Sequence, residues 1–231
     1  MKKFALLLAV SAAAFATPAT AVTVGSNDSG NCYPFNCNDS GTSVGQSYDY
    51  YQIYNASAFS GLTSFNTINF FDWAPGPGPV ILGNYVIDFA TTTAAIGSVF
   101  PVGPLANLGS FFSGSLSGPS TAGVFSINGS VYNYNPTDGN LVMHVVASNQ
   151  ALVPNGSGNG YFQADYTGSD TTRAVSLSSG PEYNGTGALV TEFVTSGGVP
   201  EPATWAMMLV GFGLIGFGMR RRQKVAVRYA F

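Results

Sequence analysis

The chain has 231 residues, 45% of them hydrophobic and only 8% charged, with a formal net charge of −3. Residues 22–198 contain ten acidic side chains and one basic residue, Arg173, so ten minus one leaves this body with a charge of −9. A body with a single cation cannot neutralise phosphates, which excludes nucleic acid as a partner. It is long enough for one domain with a sizeable core.

The first 21 residues have the three parts of a secretory signal peptide. Two lysines follow the initial methionine, an apolar stretch covers 4–15, and the small residues Ala19 and Ala21 precede Val22. This order is typical of a cleavable export signal, with cleavage between Ala21 and Val22. We therefore expect residues 1–21 to be removed and residues 22–198 to form the exported body.

Within the body, the composition favours β-structure. Gly, Ser, Thr, Asn, Tyr, Phe and Val dominate, and short alternating runs are separated by turn-forming residues. The candidate strands are residues 48–54, 64–71, 85–90, 110–116, 124–126, 130–134, 141–146, 161–166 and 189–194. Roughly eight to ten short strands in one domain predict an all-β, two-sheet sandwich of jelly-roll type.

Two dipeptides predict turns, because Gly and Asn tolerate positive φ angles: Asn128-Gly129 and Asp138-Gly139. The apolar run at 141–146 predicts a central strand that is covered on both faces.

Cys32 and Cys37 are the only cysteines. In an exported protein, two nearby cysteines favour a disulfide. A redox centre would favour C-x-x-C spacing, and a zinc site would need more ligands. We predict a Cys32–Cys37 disulfide and no metal site on these residues.

The single histidine, His144, lies inside a hydrophobic run. A Ser-His-Asp arrangement could use it, but the chain has no nucleophile motif to accompany it, so a packed or edge-exposed histidine is the favoured interpretation.

Four carboxylates lie in or near strands, and two of them could meet as a glycosidase pair; the alternative is four solvent-facing side chains. These residues are Asp72, Asp88, Asp165 and Glu192.

Two binding hypotheses remain open for the body. Four aspartates occur in Gly-, Ser- and Asn-rich turns that could ligate calcium, although no D-x-D-x-D-G pattern is present and we predict no metal site or cofactor. These are Asp28, Asp39, Asp138 and Asp170. Exposed aromatic residues could stack on sugars. The candidates are Trp73 and the set Tyr48, Tyr50, Tyr132 and Tyr134.

Residues 199–224 contain three features in a fixed order. The first is Pro-Glu-Pro followed by Trp-Ala, the second is an uncharged apolar run at 203–219, and the third is a cluster of arginines. The apolar run would form roughly 25 Å of helix, enough for one short membrane span. Arginines after the span keep that end cytoplasmic, so 225–231 would be a short cytoplasmic end. The motif residues are Pro200, Glu201, Pro202, Trp205, Ala206, Arg220, Arg221 and Arg222.

This arrangement resembles the PEP-CTERM sorting signal of Gram-negative bacteria, in its PEP-x-x-W-A variant. The resemblance implies a temporary anchor that exosortase, a membrane cysteine protease-transpeptidase, recognises and processes near Pro200–Pro202. The alternative is an ordinary C-terminal anchor helix, which needs only hydrophobic length and flanking charge.

A second, weaker resemblance covers residues 51–61, 91–93 and 134–143, which are similar to a β-rich domain common in exported PEP-CTERM proteins. It supports the fold and implies no reaction. We therefore expect an exported, non-enzymatic protein of the cell surface or extracellular matrix, with exosortase, the membrane and extracellular polysaccharide as partners. The alternatives are a carbohydrate-binding module and, third, a glycoside hydrolase.

Overall fold

The structure is a computed structural model that describes residues 21–35, 48–59, 64–73, 81–99, 101–118, 123–149, 161–177, 183–195 and 211–212. Residues Thr20–Ser196 form one compact unit, and every strand that the structure describes lies in it.

The described part of this unit is almost entirely β-structure, interrupted by two 3-10 turns at Ala56–Phe59 and Pro136–Asp138. Thirteen strands are described: β1 Ala21–Val24, β2 Ser29–Asn31, β3 Tyr48–Tyr54, β4 Ser64–Phe71, β5 Ile81–Thr92, β6 Leu105–Gly118, β7 Val124–Asn133, β8 Asn140–Ser148, β9 Phe162–Asp165, β10 Thr171–Leu177, β11 Tyr183–Gly185, β12 Ala188–Leu189 and β13 Thr191–Val194.

These strands form three sheets, and all of their pairings are antiparallel. The large sheet has the order β11-β10-β3-β8-β5-β6, the middle sheet β1-β13-β4-β7, and the small sheet β12-β9-β2. The all-β fold that the composition predicts is therefore confirmed for the described residues.

The large and middle sheets share one hydrophobic core. Phe65 on β4 lies 4.8 Å, ring centroid to centroid, from Phe89 on β5, and Tyr54 on β3 lies 5.0 Å from Phe193 on β13. Both contacts are edge-to-face, the geometry that aromatic quadrupoles favour. Such contacts across the two sheets fit the predicted two-layer sandwich. The finer jelly-roll connectivity stays a prediction.

The small sheet continues the layer of the middle sheet. An isolated bridge joins Asp72, just after β4, to Phe162 on β9, and only Val190 separates β12 from β13. Phe162, Ala164 and Leu189 are buried in the main core. The predicted single strand at 189–194 is therefore divided between two sheets.

Strand β8 occupies a central position between β3 and β5, as the apolar run at 141–146 predicts. Its inner face buries Leu141, Met143 and Val145 in the main core, and Val142 on the other face joins a second, smaller cluster with Ile53. His144 and Val146 are only partly buried, so cover on the outer face is complete only near the start of the strand.

One turn prediction is wrong and the other is confirmed. Gly129 lies inside the continuous strand β7, where an added Cβ would clash with the Phe111 carbonyl oxygen, so glycine there permits close backbone approach. Asp138 and Gly139 do form a turn, in which Asn135 caps the 3-10 helix and Gly139 has a φ of 115°.

Candidate functional site

The sorting segment lies outside the described residues, apart from Gly211 and Phe212, which are helical and exposed. The motif residues that the sequence singles out, from Pro200 to Arg222, therefore have no described geometry, and most of the predicted span at 203–219 has none either. Within the described residues, no helix has the length and apolar character needed to cross a membrane.

The predicted export cleavage site borders the first strand. Ala21 and Val22 belong to β1, where they pair with Val194 and Phe193 of β13, and Ala19 lies outside the described residues. Val22 also packs against the main core. Cleavage at this bond stays a prediction, and it would leave Val22–Val24 of the strand on the mature chain.

Of the two cysteines, only Cys32 is described. It is partly buried against the main core, and no described cysteine carries a free thiol. Cys37 lies outside the described residues, so its pairing with Cys32 stays a prediction.

His144 lies on the outer face of the large sheet, where its side chain is 18% exposed. Its Nε2 is 3.2 Å from Asp49 Oδ1, and its ring stacks on Tyr51 with centroids 4.3 Å apart. Asp88 is its direct neighbour on β5. Among the described residues, the imidazole has no serine or threonine hydroxyl as a hydrogen-bond partner. These are the contacts of a packed surface histidine, as the sequence predicts.

The environment on this face of the sheet also shifts the pKa of Tyr51. Partial burial, followed by the nearby Asp49 carboxylate, raises the pKa of the Tyr51 hydroxyl above its usual value. Both influences disfavour the phenolate, so Tyr51 is a neutral stacking partner for His144 throughout the physiological range.

The hypothesis of a sugar-stacking tyrosine set is wrong for the three members whose burial is described. Tyr50, Tyr132 and Tyr134 are buried in the main core rather than exposed on a face. Burial raises the pKa of Tyr132 to about 12 and raises those of Tyr50 and Tyr134 further. Alternation alone gives the spacing of these residues but does not determine which face of the strand is covered.

Trp73, by contrast, is exposed by 45% at the end of β4. Its indole lies against Gly30 of β2, so closely that an added Cβ there would be 2.9 Å from both Cδ2 and Cε3. The Tyr161 ring approaches it edge-on, with centroids 6.4 Å apart. One side of an anchored indole is therefore covered by backbone while nearly half of the side chain remains accessible, which suits stacking on an apolar ligand face.

The strand carboxylates are spread over separate elements. Asp88 is on the large sheet, Asp165 on the small sheet, and Glu192 on β13 accepts a hydrogen bond from Asn69 Nδ2 at 2.6 Å. No strand register pairs two of the four candidates directly. The described residues also contain no cluster of three or more His, Cys, Asp or Glu suited to a metal ion.

The fold does bring together two carboxyl groups that the sequence analysis treats separately. Asp28 lies just before β2, and its backbone N–H donates to the carbonyl of Ala164, the residue with which Ser29 pairs, at 3.2 Å. Its side chain accepts from Tyr166 N at 3.1 Å and lies within hydrogen-bond reach of the Asp165 carboxyl group. No local pattern in the sequence reveals the pair, because strand pairing across such a separation depends on the whole fold.

Residues 198–222 match the family model of the PEP-CTERM protein-sorting motif. The match begins one residue before the segment that we predict from the sequence and ends two residues earlier than it does. It supports an exported PEP-CTERM protein that is an exosortase substrate and is anchored at its C-terminal end before processing. No curated protein and no solved structure matches this chain.

Proposed function

We propose that this chain is an exported cell-surface or extracellular-matrix protein whose body has a structural or interaction role and no enzymatic activity. The observation that carries the proposal is the sorting motif at 198–222. An acidic body with a charge of −9 suits it, because such a charge keeps an exported protein soluble and separate from its copies.

The contacts of His144 also support a role without catalysis. Asp49 and Tyr51 hold the only imidazole on a sheet face, and a general base needs a nucleophile within hydrogen-bond reach. The body would then act through its surface, held near the membrane until the tail is processed.

The experiment that tests this proposal measures the mass and membrane retention of the protein in its native host. Prolines limit φ at their own positions and favour an extended shape before them, so Pro200–Pro202 would present Glu201 as a short rigid peptide. We expect the wild type to lose the hydrophobic tail, and Pro200→Ala and Glu201→Ala to stay membrane-bound at full tail length.

Thr204→Ser is the matched control, because it changes a position inside the segment that the motif leaves variable. It should be processed like the wild type. A mature wild-type protein that still contains residues 205–231 would contradict processing and leave an ordinary anchor helix as the explanation.

A second candidate function, carbohydrate binding, is favoured by one specific observation, the Trp73 indole anchored on Gly30 and exposed by 45%. Aromatic faces stack on the apolar faces of sugar rings, and the nearby Gln163 side chain adds an amide. A glycan array should then give binding that Trp73→Ala abolishes and that Tyr166→Ala, at another exposed aromatic residue, leaves intact. Equal glycan signals from the wild type and Trp73→Ala would rule out this site.

A further inference from the structure

The carboxyl groups of Asp28 and Asp165 lie together at the end of the small sheet. Asp28 Oδ2 accepts a hydrogen bond from the backbone N–H of Tyr166, the residue after Asp165, and the two carboxyl groups are within hydrogen-bond reach of each other. Asp165 pairs with Ala188 of β12, and its carbonyl accepts the Gly187 N–H at 2.7 Å. Its backbone is therefore held in place beside the Asp28 side chain.

The Asp165 carboxylate is fully buried, with 0% of the residue exposed. Its Oδ1 accepts three hydrogen bonds, from Thr167 N at 2.8 Å, Thr167 Oγ1 at 2.6 Å and Gly168 N at 3.1 Å. Its Oδ2 is also buried, and no described group donates to it. A buried carboxylate oxygen without a donor is costly, so its presence in a folded protein calls for a positive partner.

Asp28 supplies a second negative charge at the surface. Its Oδ2 accepts from Ser26 Oγ at 2.8 Å and from Tyr166 N at 3.1 Å. The Ser26 hydroxyl, followed by the backbone N–H groups of Tyr166 and Thr167 and by the Asp165 side chain, lowers the pKa of the Asp28 carboxyl. Asp28 is therefore ionised at neutral pH, and a second carboxylate charge this close to it would be repelled.

The one basic side chain among the described residues does not fill this role. Arg173 donates from Nη1 to Asn31 Oδ1 at 3.0 Å and from Nε to the Thr186 carbonyl at 3.1 Å, and it lies over the Tyr33 ring. Since Arg173 is also the only Lys or Arg between residues 22 and 198, we look to solution for the partner.

We propose that Asp28 and Asp165 bind a divalent cation of the calcium class. Hard carboxylate oxygens are the ligands that Ca²⁺ prefers, and the exposed side of Asp28 leaves room for waters that complete its shell. Two carboxylates make a site of low ligand charge, which corresponds to the millimolar affinities of extracellular modules. The ion would fasten β2, near the start of the body, to β9.

The test is thermal unfolding of the exported protein, purified as its host produces it, across 0–20 mM CaCl₂ with NaCl at matched ionic strength. A ligand that binds only the folded state raises Tm by mass action. For a body of this size, we expect a rise of about 3–5 °C at ten times the dissociation constant. Asp165→Asn should abolish the rise, Asp28→Asn should weaken calcium binding at least tenfold, and Asp138→Asn, an exposed aspartate in the β7–β8 turn, should retain the wild-type response.

Each result decides the proposal. Loss of the rise in Asp165→Asn and a smaller rise in Asp28→Asn, with Asp138→Asn unaffected, support the site. Since Asp28 is exposed, its variant keeps the test decisive even if Asp165→Asn fails to fold. A rise that NaCl reproduces or that Asp28→Asn retains at full size overturns the proposal. So does a wild type that ignores calcium while Asp165→Asn raises Tm in chelator, because the carboxylates would then share a proton.

Discussion

The interior between the two larger sheets and the small sheet β12-β9-β2 are built on different principles. The interior is dominated by interlocking rings, such as Phe65, Phe89 and Phe193, whose centroids lie 4.8–6.1 Å apart. The small sheet has only nine residues, with a glycine under an indole on one strand and the neighbouring carboxyl groups of Asp28 and Asp165 at one end. Stability therefore resides mainly in the first region, while the chemistry suited to ligands is concentrated in the second.

The two regions also differ in whether their buried polar groups have hydrogen-bond partners. The interior also contains polar groups, but they satisfy one another: Gln52 Nε2 donates to the Leu189 carbonyl at 2.6 Å, and its Oε1 accepts from Leu189 N at 3.0 Å. In the small sheet, by contrast, the Oδ2 of Asp165 is buried and has no donor among the described residues. A network whose hydrogen bonds are all made helps to specify one structure, whereas a buried polar group without a hydrogen-bond partner indicates a site where a ligand can bind.

The largest expected effect comes from removing a ring in the interior. Phe65→Ala should lower the free energy of unfolding by about 3–5 kcal/mol, since it deletes a buried ring that contacts Phe89 and Phe193 at 4.8 Å. Urea unfolding followed by circular dichroism measures the loss. Val131→Ala, at an exposed position on β7, is the control and should change stability by less than about 0.5 kcal/mol. A loss below 1 kcal/mol at Phe65 would contradict a ring-dominated interior.

The sequence predicts the first region much better than the second. The bounds of β3 and β4 agree with the sequence-based ranges because strong β-formers there are bounded by turn residues. Strands β2 and β10 lie outside the sequence-based ranges. β2 has no apolar residue and β10 alternates only at Val175 and Leu177, so pairing with distant strands decides both. The Asp28–Asp165 pair was missed for the same reason, and the predicted glycine turn at Gly129 was wrong because close approach to Phe111 gives the same residue preference.

A smaller effect should separate the two polar environments directly. Gln52→Leu keeps side-chain volume but leaves Leu189 N–H, Leu189 C=O and the Tyr50 hydroxyl without this partner, so we expect a loss of about 2–4 kcal/mol. The matched control is Gln163→Leu in the small sheet, where a partly exposed amide donates to the Asp72 carbonyl at 3.2 Å. Water can replace that bond, so the control should cost under about 1 kcal/mol. Equal losses in urea unfolding would remove the contrast.

Gly30→Ala tests how tightly the small sheet holds its indole. The new Cβ would lie 2.7 Å from Tyr161 Cβ and 2.9 Å from the Trp73 ring, so both side chains must shift. We expect a loss of about 1–3 kcal/mol, as for overpacked sites, together with an altered near-UV circular dichroism spectrum. Gly103→Ala is the control, since an added Cβ there meets nothing within 4 Å. An unchanged spectrum for Gly30→Ala would mean that Trp73 is not anchored on β2.

The smallest effect concerns alkaline pH and the interior tyrosines. Burial, followed by the charge of Asp138, raises the pKa of Tyr132 to about 12, whereas an unfolded tyrosine titrates near 10. The folded chain therefore holds this proton over a range in which the unfolded chain loses it. The stabilisation is complete below about pH 10 and is lost as pH rises through about 12.

We expect Tyr132→Phe to lower stability at pH 7 by about 1 kcal/mol, since the hydroxyl donates to the Asn107 carbonyl at 2.9 Å. As pH rises from 10 to 12, the wild-type advantage should shrink, because phenylalanine has no proton to lose and only the wild type gives up this contribution. The pKa values of three other buried tyrosines, Tyr50, Tyr54 and Tyr134, are also raised. The stability of both the wild type and Tyr132→Phe should therefore decline at alkaline pH. Urea unfolding at several pH values measures both curves. If the two stability curves stay parallel between pH 10 and 12, Tyr132 has the same pKa in the folded and unfolded chains, and its burial does not raise that pKa.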